Sequence, residues 1–510
     1  MLCSHLAIFA SLLLFFDFQH PLFVLAIVAS SLLFFELGVY FMKKVFFLNP
    51  PSYEGFDGGA GSRYQAKREV LSFWYPTWLA QTAALCLGSR LLDAPVENKS
   101  IEETVKEIQG YDLLVIYTST PGFVNDARLA VQVREVYPEI MICMVGPHCT
   151  VLPQETLENC PALDFVTRKE FDYTIVEVAE GKAFSEIKGI SYRHGEEIVH
   201  NPDREPIEDM DALPSVLDVY KRDLLIDRYF IGYLLHPYLS VYTGRGCPAR
   251  CTFCLWPQTI GGRTYRTRSV QSVVQEMARA KEMFPEVKEF FFDDDTFTAN
   301  FKRAEEIARG LKDLDITWSC SSRANVPEET LAVLKDCGLR CIMVGVESGN
   351  DEILKNIKKG ITTDQIRKFM KACRKLGIVT HATFAIGLPG ETKKTLEKTI
   401  RFAQEIDPDT IQVSIATPYP GTELYQEALE KGWMTEENLV SGEGVQQATL
   451  QYEDFTREEI FDMVEVFYRR YYFRFKPIWR IVKTMLKDKE MMKRRLREAR
   501  EFFQFLKKRK

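Results

Sequence analysis

The sequence has no disulfide framework. Its twelve cysteines are spread over 510 residues without the paired spacing of a small secreted scaffold. That points to a reducing, cytoplasmic setting, where clustered cysteines more often bind metal. A charge-free apolar run of the ~18–20 residues that a spanning helix needs is missing from the amino end. The two greasy stretches there, Leu6–Phe16 and Leu22–Phe35, are split by Asp17, Gln19, His20 and Pro21. Leu22–Phe41 would span only with Glu36 inside it, and Lys43 and Lys44 would then lie on the cytoplasmic side. The first 41 residues contain no Lys or Arg, so the basic start of a secretory signal is absent. Met42 and the apolar strand after it read as a natural beginning. The expectation is that translation starts at Met42, with a membrane segment in residues 1–41 as the competing reading. A native chain whose amino-terminal sequence begins at Met1 would refute the first.

Charge is plentiful but uneven. Charged residues are 27% and hydrophobic ones 46%, which excludes a disordered or fibrous chain. From Arg469 to Lys510 there are 17 Lys/Arg against 4 Asp/Glu, a net of +13 on a body of −19. Aromatics run through the same segment, among them Tyr468, Phe473, Phe475, Trp479, Phe502 and Phe505. This fits an amphipathic helix on an anionic membrane; the bland alternative is a helix packed on the body by its apolar stripe. No nucleic-acid-binding motif accompanies the base, so nucleic acid is not expected as a partner.

Five domains or segments are expected: a hydrophobic segment 1–41, an α/β domain 42–200, a linker 201–235, a barrel 236–435 and a helical basic extension 436–510. In the first α/β domain, Val45–Leu48, Leu113–Tyr117 and Ile140–Val145 are apolar strands separated by helical patterns. Such alternation predicts a doubly wound parallel sheet, with ligands at the strands' carboxyl ends, here Asn49-Pro50, Thr118–Gly122 and Gly146–Thr150. Residues 201–214 are polar, acidic and proline-bearing. Six further strand–helix units predict a partial (β/α)6 barrel whose chemistry also sits at carboxyl ends.

The chemistry concentrates at Gly244-Arg245-Gly246-Cys247-Pro248-Ala249-Arg250-Cys251-Thr252-Phe253-Cys254. Three cysteines on one loop can bind three irons of a cubane as thiolates, leaving the fourth iron open to a small molecule. Structural zinc wants four ligands, and no second pair or histidine follows. Cys337, Cys341 and Cys320 read as core cysteines. His236 and His381 are candidates for the active-site mouth, though a lone histidine is more often a satisfied polar residue.

This loop, with Phe253 before its last cysteine, resembles the CxxxCxxC loop of the radical S-adenosylmethionine (SAM) superfamily. The resemblance implies a [4Fe–4S] cluster on Cys247, Cys251 and Cys254, with SAM chelating the open iron. It also implies one-electron cleavage of SAM to a 5′-deoxyadenosyl radical, and an electron donor such as flavodoxin or ferredoxin. Later strand ends match too. Asp294 and Asp295 are candidates for the SAM ammonium, Arg323 for its carboxylate or ribose, and Glu347 for a polar contact. Gly387 and Gly390 would let backbone approach the adenine or methionine. The amino-terminal domain resembles the cobalamin-binding domain of one radical SAM class, although the DxHxxG cobalt-ligating motif is absent. A narrower likeness, over Leu234–Tyr238, Tyr242–Thr259 and Gly261–Arg266, is to radical SAM proteins of hopanoid biosynthesis. It departs at Thr264, near which a histidine is expected. It implies an enzyme remodelling the glucosamine head of a bacteriohopanetetrol lipid to a cyclitol ether, peripheral on the inner membrane. The alternatives are a cobalamin-dependent radical SAM methyltransferase and a non-enzymatic iron–sulfur protein.

Overall fold

The structure is a computed structural model that describes residues 42–52, 72–434, 439 and 447–487, with 492, 493, 496, 497 and 500. The segment 1–41 and the tail aromatics Phe502 and Phe505 lie outside them. Among the described residues, no helix is long and apolar enough to cross a membrane.

Two large sheets and one two-stranded ribbon organise the described residues. The first orders seven strands as β2-β1-β3-β4-β5-β6-β7. These are β1 (Val45–Asn49), β2 (Arg90–Asp93), β3 (Leu113–Tyr117), β4 (Met141–Val145), β5 (Phe165–Thr167), β6 (Ile190–His194) and β7 (Glu197–His200). The runs VFFLN, LLVIY and MICMV are buried almost throughout. Strands covered on both faces by helices must be apolar on both, and β1 to β5 are indeed parallel. β6 and β7 form an antiparallel hairpin on the edge.

The second sheet starts with β8 (Tyr238–Val241). A short antiparallel pair, β9 (Gly244–Arg245) and β10 (Arg266–Thr267), interrupts it. It continues with β11 (Glu289–Phe292), β12 (Trp318–Arg323), β13 (Leu339–Glu347), β14 (Val379–Ile386) and β15 (Thr410–Ile415). Their order is β15-β14-β13-β12-β11-β8, all parallel, so the barrel is open between β8 and β15. The outer helices begin and end where local chemistry says they should. Thr363–Leu376 opens with a capping box between Thr362 and Gln365 and stops at left-handed Gly377. It buries Ile366, Phe369, Met370 and Cys373, one face at three- and four-residue spacing.

The helix Arg457–Tyr472 covers the open edge. The backbone N–H of Val413 donates to the Tyr468 hydroxyl at 2.9 Å and that of Ile411 to the Tyr472 hydroxyl at 3.0 Å. Two tyrosines thus take up edge-strand donors that would otherwise want another strand.

Residues 201–235 connect the sheets yet are well packed. Ile207, Met210 and Leu213 form a small core with Leu85 and Tyr173. Tyr229 is fully buried and stacks on Tyr75, ring centres 4.0 Å apart. The sequence reads polar there because the buried residues are single apolar anchors between acidic turns.

Candidate functional site

The cysteine loop hangs from the carboxyl end of β8 and is closed into a lasso by β9–β10. Gly246 is at φ +90, and a Cβ there would lie 2.3 Å from the Thr264 carbonyl oxygen and 2.7 Å from that of Gly261. Only glycine lets the two arms close. The root is tied to β11. Asp294 is buried and accepts from Thr243 N (2.6 Å), Thr243 Oγ1 (2.5 Å) and Tyr265 OH (2.5 Å). Both its oxygens are spent on the loop, so the structure gives Asp294 an anchoring place rather than an open one. Asp295 accepts from Gly246 N at 3.0 Å and is an exposed residue. Surrounding protein and the neighbouring Asp294 raise its carboxyl to about 6.

Cys247 and Cys251 are buried, Cys254 half-buried, and all three are free thiols. Burial raises the Cys247 and Cys254 thiols, and Asp295 raises them further. Bound iron is the kind of charge that would hold them as thiolates, so the donor set fits a cluster. Among the described residues, no three His, Cys, Asp or Glu side chains are grouped for a single metal ion. Phe253 is half-buried against the core.

Two cations stand on the other side of the loop. Arg323 Nη1 is 4.0 Å from the Cys251 sulfur, and its Nη2 donates to the Lys359 carbonyl. Lys359, buried, pairs with Glu347 at 2.7 Å. Glu347 sits at φ +64 where the β13–β14 register shifts. Lys359 went unnoticed in the sequence, because Lys358-Lys359-Gly360 reads as a solvated turn. Gly387 and Gly390 are at positive φ, but protein occupies the space beside them. Ile460 lies 3.0 Å from a Cβ placed on Gly387, and Asn356 Nδ2 2.7 Å from one on Gly390. On the side where a Cβ would point, both glycines face side chains. His236 and His381 fall at the amino ends of β8 and β14, the foot of the barrel and not its mouth. His381 stacks on Tyr233 and shares a 2.8 Å hydrogen bond with Thr410.

The carboxyl ends of β3 and β4 face this loop. Gly146, at φ +118, would place a Cβ 2.3 Å from the Thr118 carbonyl oxygen. His148 is buried, stacks on Phe123 and meets Thr120 Oγ1 at 3.3 Å. Its Nε2 is buried with no hydrogen-bond partner, and burial lowers its pKa to about 4, so the ring is neutral. The helix Pro147–Val151 packs on Leu255–Thr259, which follows the cysteines, and Val151 Cγ1 lies 2.3 Å from a Cβ placed on Gly421. Arg245 rivets the domains together. It meets Asp172 at 2.7 and 3.0 Å and Gln81 at 2.6 Å, with its guanidinium 4.1 Å from the Trp78 ring. Trp78 in turn stacks on Trp256.

The family described as the radical SAM superfamily matches residues 241–403, and that of the B12 binding domain residues 67–179. An uncharacterized methyltransferase of Pyrococcus horikoshii is 32% identical over 421 residues, covering 80% of this chain and 90% of that protein. The chain belongs to the radical SAM superfamily. It falls in the class that carries a B12-binding domain, and it is an enzyme. Membership implies a [4Fe–4S] cluster and SAM as cofactors, and the B12-binding domain supports cobalamin as a third. The hopanoid C-3 methylase of Methylococcus capsulatus is 28% identical over 355 residues, 66% of this chain and 64% of that one. Among solved structures, the radical SAM methyltransferase TsrM of Kitasatospora setae, with cobalamin and a [4Fe–4S] cluster bound, superposes with a TM-score of 0.60 at 17% identity. The match covers 78% of this chain and 76% of that one, and shows that the two-sheet fold is shared. The orphaned His148 Nε2 and the Thr120 hydroxyl, both at strand ends of the B12-binding domain, fit the polar periphery of a corrinoid.

Proposed function

We propose that this enzyme is a cobalamin-dependent radical SAM methyltransferase. The observation that carries the reading is the shared wall: the β4-end loop of the B12-binding domain packs directly on the helix after Cys254 and on Gly421. When bound, the cluster and SAM supply a one-electron route to a carbon radical, and cobalamin supplies a methyl carrier. The chain's own residues hold and orient. Cys247, Cys251 and Cys254 ligate the cluster, with Phe253 packing beneath the loop. Asp295 would take the SAM ammonium, its 3.0 Å bond from Gly246 fixing the carboxylate beside the loop. Arg323 and Glu347 frame the opposite side, Gly387–Glu391 closes the strand ends, and Asp294 holds the loop's root. Residues 42–200 and 236–435 act as the two cofactor domains, with 201–235 strapping them together.

The product ratio tests this reading. Methyl transfer consumes SAM twice, giving S-adenosylhomocysteine and 5′-deoxyadenosine together. 5′-Deoxyadenosine alone, from protein loaded with both cofactors, would contradict it.

A second reading is remodelling of a bacteriohopanetetrol glucosamine head. The motif likeness over residues 234–266 and the similarity to a hopanoid methylase support it. An isomerised or dehydrated head group after incubation with that lipid would establish it; an untouched lipid would end it. Peripheral membrane docking from the cytoplasm has its own support. In the helix Phe475–Lys487, Phe475, Ile478, Trp479 and Leu486 form an outward stripe, 81%, 47%, 56% and 75% exposed. The helix is pinned to the body by its polar side, Arg480 meeting Asp407 at 3.1 Å and Asp409 at 3.3 Å. An outward aromatic stripe on a basic tail suits an anionic bilayer. Asp407 and Asp409 precede β15, so this helix lies at the barrel's foot, away from the cysteine loop. Docking there anchors the enzyme without feeding its mouth. Co-sedimentation with anionic vesicles, lost in Trp479→Glu, is expected; equal sedimentation of both proteins would refute the docking.

A further inference from the structure

Lys359 is a buried cation near the cysteine loop. It lies outside every strand and helix, and three features of the chain are arranged around it. Glu347, its partner at 2.7 Å, holds a left-handed backbone at φ +64 that a residue with a side chain rarely adopts. Gly345 leaves the pair its room: a Cβ there would lie 2.3 Å from Glu347 Oε1 and 2.6 Å from Lys359 Nζ, and both side-chain ends would have to shift. The Lys359 carbonyl accepts from Arg323, whose other nitrogen is 4.0 Å from the Cys251 sulfur. Burial works against the ammonium, yet Glu347 and the Cys251 sulfur outweigh it and keep Lys359 charged. Gly345 is the register partner of Arg323 on β12 and β13, so the ammonium stands beside the strand end that carries Arg323 to the Cys251 sulfur. A buried ion pair is a weak device for stability alone. A strained glutamate, a close-packed glycine and a buried lysine gathered beside the cysteine loop ask for an electrostatic reason.

We propose that Lys359, positioned by Glu347, raises the reduction potential of the cluster held by Cys247, Cys251 and Cys254. This rests on the cysteine assignment above. Reduction adds one electron from a low-potential one-electron donor, reduced flavodoxin or dithionite. The cluster's charge falls by one, and no bond or proton changes place. A fixed positive charge stabilises the product more than the reactant. Arg323 acts from the same side, and Asp295 opposes both.

The test is an anaerobic redox titration of the full chain, reconstituted with iron and sulfide and followed by the signal of the reduced cluster. Iron is counted first. A unit charge ~6–10 Å away in an effective dielectric near 20 is worth about fifteen- to a hundredfold in an equilibrium, and Glu347 cancels part of it. Lys359→Met therefore lowers the reduced-to-oxidised ratio at a fixed poise roughly tenfold. Lys359→Arg stays near the wild type, and Glu347→Gln shifts the ratio the other way. A loaded Lys359→Met protein with an unchanged ratio overturns the proposal. Should Lys359→Met fail to assemble, Glu347→Gln decides, and no upward shift overturns it. A wild-type chain that binds no iron overturns the cysteine assignment instead, and the proposal falls with it.

Discussion

Arg245→Met removes the rivet between the two cofactor domains. Arg245 side-chain exposure is 1%, and its partners Asp172 and Glu170 are at 0% and 3%. The two carboxylates fare differently without it. Glu170 keeps Arg266 at 2.7 and 2.9 Å. Asp172 is left with the Thr82 hydroxyl at 3.2 Å, one neutral donor for a fully buried charge. Breaking a buried pair from one side costs about 3–5 kcal/mol, because the orphaned charge stays in a poor solvent. The lost stacking on Trp78 adds to that, at about 1 kcal/mol. Urea unfolding of the apo chain should show this loss for Arg245→Met. Arg245→Met with Asp172→Leu should recover most of it, since the stranded anion goes too. A loss under ~1 kcal/mol in the single variant, or a double variant worse than the single, would refute the electrostatic reasoning.

Three further outcomes follow from the same geometry. Glu391 is buried with Oε1 unpartnered, and burial raises its carboxyl to about 8. The folded state holds this proton more tightly than the unfolded one, so the stabilisation is complete below the unfolded pKa near 4.5 and is lost as pH rises through 8. Glu391→Gln should abolish about 3 kcal/mol of the stability decline between roughly pH 5 and 8, read from urea midpoints; an unchanged slope would contradict the burial argument. Gly146→Ala should weaken cobalamin uptake while leaving iron content intact, because a Cβ would strike the Thr118 carbonyl 2.3 Å away; normal uptake would refute this. Cys251→Ser should lose the cluster and Cys341→Ser, a buried core residue, should keep it, as measured by iron and sulfide per chain.

What the sequence made legible was whatever local pattern encodes. Leu113–Tyr117 is five apolar residues between turn signals and is β3 to the residue. Val270–Met283, Thr363–Leu376 and Lys393–Ile406 follow their periodicity and caps. β2 escaped because RLLD starts with a charge and ends with one; its Asp93 bonds Asn49 across the sheet, 44 residues away. Arg245 read as one letter of a motif, since its partner Asp172 is 73 residues upstream. Asp294 and Asp295 are alike in sequence, and only the loop that returns to Thr243 and Tyr265 separates the anchored acid from the open one. The tail's apolar residues were visible, but which way they face depends on Arg480 finding Asp407 and Asp409.

The central claim is that one chain holds both halves of a methyl-transferring radical site. The most direct measurement loads the full protein anaerobically with iron, sulfide and cobalamin, adds SAM and dithionite, and quantifies SAM-derived products by mass spectrometry. 5′-Deoxyadenosine and S-adenosylhomocysteine appearing together, both abolished by Cys251→Ser, is the predicted result. A fully loaded protein that forms neither, or 5′-deoxyadenosine without S-adenosylhomocysteine, would contradict it.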